Sequence, residues 1–114
     1  MKSLAAGLSR NIHEHLDRCR REISEVYLDD IVNCDFYKHK GEVPPVYTSV
    51  YVAEQTRNGH FRVLLTENDN EIGLLPAEYS YLLACISKGY TYTGSVIYKE
   101  DGQFPKIVVK LNGN

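Results

Sequence analysis

Apolar residues recur along the start of the chain in steps of three and four: Leu4, Leu8, Ile12, Leu16, Cys19, Ile23 and Val26. Arg10, Glu14, Asp17, Arg18, Arg21, Glu22 and Glu25 fill the positions between them. This spacing predicts an amphipathic helix from residue 2 to about residue 28. Asp17 with Arg21, and Arg18 with Glu22, are opposite charges one helical turn apart, each pair contributing about 0.3 kcal/mol. The apolar stripe is narrow. A narrow stripe either lies across a sheet of its own chain or pairs with a second helix as a coiled coil. In the second case Ile12, Leu16, Cys19, Ile23 and Val26 form an interaction helix and the protein is a homodimer through it.

Residues 29–45 read as a transition, because Gly41 and Pro44-Pro45 interrupt regular structure. From Val46 the period changes to two. Val46, Thr48, Val50 and Val52 alternate with Tyr47, Ser49, Tyr51 and Ala53, which is a strand. Asn58-Gly59 is a strong hairpin signal, and Phe61, Val63 and Leu65 form the return strand. A third, short strand follows over Glu71–Leu75. Pro76 then suits a first helical position, Tyr79, Leu82, Leu83 and Ile86 supply a stripe, and Gly89 supplies a stop. Tyr90 to Tyr98 alternate as a long strand, and Ile107, Val109 and Leu111 close the chain. Residues 1–45 are thus expected to be a helix and linker, and 46–114 a β-rich body, within a single folded unit. The fold class expected is α+β: a long N-terminal helix with a five-stranded antiparallel, partly open barrel of SH3 or OB kind and one short helix.

Composition narrows the function classes. The 114 residues carry a net charge of −2, with 25% charged and 43% hydrophobic residues, so neither disorder nor a globally basic surface is indicated. No run approaches the roughly 20 apolar residues of a membrane-spanning helix, and Met1–Leu8 does not read as a signal peptide. Three cysteines, an odd number without framework spacing, point to a reducing, cytoplasmic setting.

Candidate chemistry is sparse. His15 and Cys19 share a helical face, and Cys34 and His39 follow, a set of nitrogen and sulfur donors suited to tetrahedral zinc. Against this, Cys19 falls in the apolar stripe and no C-x2-C pair is present, so neither metal nor cofactor is expected. Cys34 and Cys85 are the thiols left for nucleophilic chemistry, but no phosphate-binding, dinucleotide or nucleophile-elbow motif accompanies them. The chain does not read as an enzyme. Its nine tyrosines are more informative. Tyr47 and Tyr51 share a strand face, Tyr90 and Tyr92 open a later strand, and Arg57 and Arg62 lie beside the hairpin turn. Such a face stacks single-stranded bases, or equally serves a protein interface; strand tyrosines also simply line cores.

The run Ile72-Gly73-Leu74-Leu75-Pro76, then Leu83-Ala84 through Gly89, then Tyr92-Thr93-Gly94-Ser95-Val96, resembles the second half of a HIRAN domain. The resemblance covers about 40 residues. It implies a small, modified OB-like barrel and an accessory module that holds DNA, including free single-stranded ends. Where that family carries an acidic signature with arginine and proline, this chain has only Thr66-Glu67-Asn68-Asp69-Asn70. The function expected is therefore non-catalytic binding to another protein, as an inhibitor or adaptor of phage or defence type. Binding of single-stranded DNA or DNA ends through Tyr47, Tyr51, Arg57 and Arg62 is the alternative.

Overall fold

The computed structural model describes residues 18–114. Six strands run β1 (Ile23–Tyr27), β2 (Ser49–Arg57), β3 (His60–Leu65), β4 (Glu71–Leu74), β5 (Tyr92–Glu100) and β6 (Lys106–Gly113). Two six-residue helices interrupt them, α1 (Asp35–Lys40) and α2 (Leu82–Ser87). Single 3-10 turns cover Ile31–Asn33 and Ala77–Tyr79. The strands form one antiparallel sheet in the order β1-β6-β5-β2-β3-β4. Its two outer strands meet just past the end of β1. There Asp29 and Leu74 exchange backbone hydrogen bonds of 2.8 and 2.9 Å, so the sheet curls round into a barrel.

The expected long helix and five-stranded sheet are thereby corrected. Residues 18–20 are helical, but Ile23–Tyr27 is a sixth strand paired with β6. The reason lies in a bulge. Ile23 pairs with Leu111 and Val26 with Val109, so three residues of β1 span two of β6. A bulge lets residues at i and i+3 share one face of a strand, which mimics the helical spacing. Ile, Val and Tyr are also good strand residues, and β6 offers them an unpaired edge. Val26 ends 1% exposed in the core. Ile12 and Leu16 of the proposed seam, and His15, lie outside the described residues.

Other expectations stand on the hairpin chemistry. Arg57 pairs with His60 across Asn58 and Gly59, whose φ values of 55° and 80° form the two-residue turn the Asn-Gly signal announces. Val50, Val52, Val63, Leu65, Val96, Val109 and Leu111 point into the barrel. The helix expected from Pro76 is split: a 3-10 turn precedes α2, and Gly89, at φ 100°, ends it. Within α2 it is Leu82 and Cys85 that bury, while Leu83 stands 61% exposed. Gly94 is required by close approach, since a Cβ there would sit 1.6 Å from the Lys110 carbonyl oxygen.

Cys19 and Cys85 are joined in a disulfide, and Cys34 is the free, buried thiol. The bridge ties the segment before β1 to the cap formed by α2. Tyr92 reinforces it, its buried hydroxyl donating to the Cys19 carbonyl oxygen at 2.7 Å. Arg18 adds a guanidinium stacked 3.8 Å from the centre of the Tyr81 ring. Two cysteines that read as unpaired are a cross-link between residues 66 positions apart.

Candidate functional site: two outer faces of the barrel

Because Val50, Val52 and Val63 face inward, the alternate residues of β2 and β3 face outward. Strand register places Thr93, Tyr51, Leu64 and Glu71 in one row across β5, β2, β3 and β4. A bulge in β4 opposite Val63 and Leu64 gives Ile72 to the core and Glu71 to this outer row. Glu71 is the buried charged residue of the described chain, 6% exposed. Arg57 donates to its Oε1 from Nε at 3.0 Å and from Nη2 at 2.6 Å. Arg62 Nε donates to Oε2 at 2.6 Å. Arg57 Nη1 reaches Asp30 Oδ2 at 3.1 Å, and Nη2 also points at Cys34 Sγ at 3.4 Å. The thiol in turn donates to the Asp30 carbonyl oxygen at 3.2 Å.

The charges in this cluster are mutually compensated. Burial pushes the Glu71 carboxyl up, but hydrogen bonds from Arg57 and Arg62 outweigh it, and the net shift is downward. The Asn33 amide, then Arg57, holds Asp30 below the usual carboxylate range. Burial, followed by Glu71, pushes the Cys34 thiol up to about 12. At neutral pH it is a protonated thiol and a poor nucleophile. Asn33, Lys38, Gln55 and Thr56 complete a shallow cleft of about 480 Å³ over the cluster.

The residues singled out in the sequence separate. Tyr51, Arg57 and Arg62 do share the outer face, but Tyr51 gives its hydroxyl to Asp69, and both arginines are committed to Glu71. Tyr47 precedes β2 at φ 76°, its amide bonded to the Val96 carbonyl oxygen, with the side chain 84% exposed. Tyr90 packs partly against the core. Tyr92 is 1% exposed, and burial raises its hydroxyl to about 12, so it is a core residue and offers no binding surface. Cys19, Ile23 and Val26 leave no continuous helical seam, since one is cross-linked and two lie in β1. The zinc donors are not assembled: Cys19 is oxidised, Cys34 lies against Asp30 and Arg57, and His39 Nδ1 turns back to the Asp35 carbonyl oxygen. Among the described residues no cluster of three metal-binding side chains occurs.

A second outer face escaped the sequence pattern. Tyr27 of β1 and Tyr98 of β5 both pair with Val108 of β6, forming a row across three neighbouring strands. The tyrosines are 57% and 49% exposed, whereas Val108 between them is 2% exposed. Glu25, Glu100 and Lys106 border the row, and with Ile97 they enclose a cleft of about 360 Å³. Phe104, in the β5–β6 connection, is 80% exposed. The alternation Tyr92, Val96, Tyr98 reads as one face, but the register shifts between Val96 and Tyr98. Tyr92 and Val96 therefore bury while Tyr98 turns out. Tyr27 was hidden in the helical reading of residues 2–28, and the signal that could have found it is the β-rich run Ile23-Ser24-Glu25-Val26-Tyr27.

Comparison with family models, with curated proteins and with solved structures returned no match.

Proposed function

We propose that the protein is a non-catalytic binding module that docks another protein on the outer face of β1, β6 and β5. The observation that supports this is the Tyr27–Val108–Tyr98 row, two half-exposed aromatic rings flanking a covered valine. Tyrosine is enriched at interfaces because a rigid ring buries much area at little entropic cost, while its hydroxyl tolerates water. The adaptor or inhibitor role belongs to this reading, as does the absence of catalysis. Cys34, the free thiol, is protonated and shielded at neutral pH.

A second reading, capture of single-stranded DNA or its ends, draws on Tyr51 and Arg62 standing on one face and on the resemblance to HIRAN domains. It is the weaker one, because Arg57 and Arg62 already neutralise Glu71 and Asp30 instead of facing phosphate. Among the described residues no helix is long and apolar enough to cross a membrane. The cysteine count no longer supports a cytoplasmic setting, because Cys19 and Cys85 are bridged and such bonds persist in oxidising compartments.

The test is a capture experiment run beside an oligonucleotide titration. Protein captured by the wild-type chain should be lost with Tyr27→Ser/Tyr98→Ser and kept with Leu83→Ser, a distant exposed site. Single-stranded oligonucleotides should fail to bind at ~50 mM salt, where phosphate contacts are strongest. Tight binding that Tyr51→Ala weakens by ~1–3 kcal/mol would transfer the conclusion to the second reading.

A further inference from the structure

The cleft between Tyr27 and Tyr98 has a chemistry that selects its occupant. We propose that it receives a cationic side chain, the guanidinium or ammonium of an arginine or lysine presented by the docking partner. This rests on the docking reading above and specifies what that surface recognises.

Three observations carry it. Tyr27 and Tyr98 lie on strands either side of β6. Neighbouring strands are about 4.8 Å apart, so the two backbones stand roughly 10 Å from each other. The two rings flanking Val108 can offer a bound cation their negative faces, which attract positive charge within about 6 Å of a ring centre. The rim is acidic: Glu25 and Glu100 are set against Lys106 alone. Lys106 is held 3.3 Å from Glu100, which leaves Glu25 outside the salt bridges of the described residues. The size is modest. A cleft of about 360 Å³, open on a sheet surface, lies at the lower end of the ~300–1,000 Å³ span of small-molecule pockets and suits one side chain from an opposing surface.

The same features weigh against other occupants. A phosphate or carboxylate would meet Glu25 and Glu100 at close range. An aliphatic side chain would strip water from those carboxylates without compensating them. The Tyr98 hydroxyl is raised, by burial first and then by Glu100, with Tyr27 contributing too. Glu100 lies two residues beyond Tyr98 on β5, opposite Lys106, so the carboxylate and the ring stand on the same outer face. Lys106 is the chain's own competitor for Glu100.

The probe is an acetylated, amidated tri-arginine peptide, titrated at about 150 mM salt, where long-range attraction to a net charge of −2 is screened. Amide and tyrosine ring resonances would report the site. Shifts should concentrate at Tyr27, Tyr98 and Val108. Tyr98→Leu, which keeps apolar bulk but removes the aromatic face, should weaken binding about three- to tenfold. Glu100→Gln should weaken it similarly. Lys106→Met should strengthen it, whereas Lys88→Met, the same charge change elsewhere, should leave it as in the wild type. Shifts dispersed over other surfaces, equal affinity for Tyr98→Leu, or equal gains from both lysine changes would overturn the inference. If the peptide fails at this cleft while Tyr27→Ser/Tyr98→Ser still loses the captured partner, the cation is wrong and the docking surface stands. If the captured partner survives that double change, the docking reading falls with it.

Discussion

The two outer faces of the barrel use the same materials, strand side chains pointing away from one core, to opposite ends. On β2, β3 and β4 the polar groups find one another: Glu71 is covered by Arg57 and Arg62, Asp30 and Cys34 take what remains of Arg57, and Tyr51 is bonded to Asp69. On β1, β6 and β5 the tyrosines stay half exposed, and the carboxylates outnumber the cation beside them. A face whose donors and acceptors are satisfied internally has little left to offer a ligand. One that exposes aromatic rings beside a carboxylate, Glu25, in no salt bridge among the described residues does. Counting arginines and tyrosines in the sequence would favour the first face; counting their unspent interactions favours the second.

The sharpest way to break this contrast is Glu71→Ala. Removing the central acceptor leaves Arg62 without its partner and Arg57 with Asp30 alone, at a cost near the lower end of the 3–5 kcal/mol typical of broken buried pairs, about 3 kcal/mol. The lower end applies because the arginine side chains keep 33% and 27% of their exposure and can rehydrate. Urea unfolding measures it, and a loss under about 1 kcal/mol would mean the cluster is not structural.

Acidification should act on the same face by a smaller amount. Glu71 and Asp30 have folded pKa values below their unfolded ones. Their contribution is therefore fully present above the unfolded carboxylate range, about 4, and is lost as pH falls through the folded values. The melting temperature should drop below pH ~4, less steeply in Glu71→Gln, and with unchanged steepness in Tyr27→Ser. An acid limb identical in wild type and Glu71→Gln would remove Glu71 as its cause.

Arg57→Lys should come next, at about 1–2 kcal/mol. An ammonium cannot reproduce the fork that meets Glu71 and Asp30 at once. A thermal melt equal to wild type would show that charge alone suffices there. Smallest is Tyr27→Ser on the aromatic face, expected to stay within about 0.5–1 kcal/mol because more than half of that side chain is already in water. A larger loss would recast Tyr27 as a structural cover for Val108 and weaken its claim to a binding role.

Local signals in the sequence were decisive where the chain's own neighbours settle the conformation. Asn58-Gly59 dictated a hairpin because both residues adopt positive φ cheaply, and Gly89 stopped a helix for the same reason. The alternation in Val50-Tyr51-Val52 and in Phe61 to Leu65 placed the valines inward and Tyr51 outward, since side chains on a strand must alternate. What only the tertiary structure decided is what happens at irregularities and between distant segments. The bulge in β1 turned a helical spacing into a strand, because β6 supplied hydrogen bonds and Val109 and Leu111 as partners that an isolated helix lacks. A register shift beside Ile97 sent Tyr98 outward and left Tyr92 within, reversing a parity that no local pattern marks. The Cys19–Cys85 bond and the capture of both arginines by Glu71 join residues far apart in the chain, 66 positions in the case of the disulfide. Periodicity reports which way a side chain points relative to its neighbours. What that side chain meets depends on strand order and register, which are properties of the closed sheet as a whole.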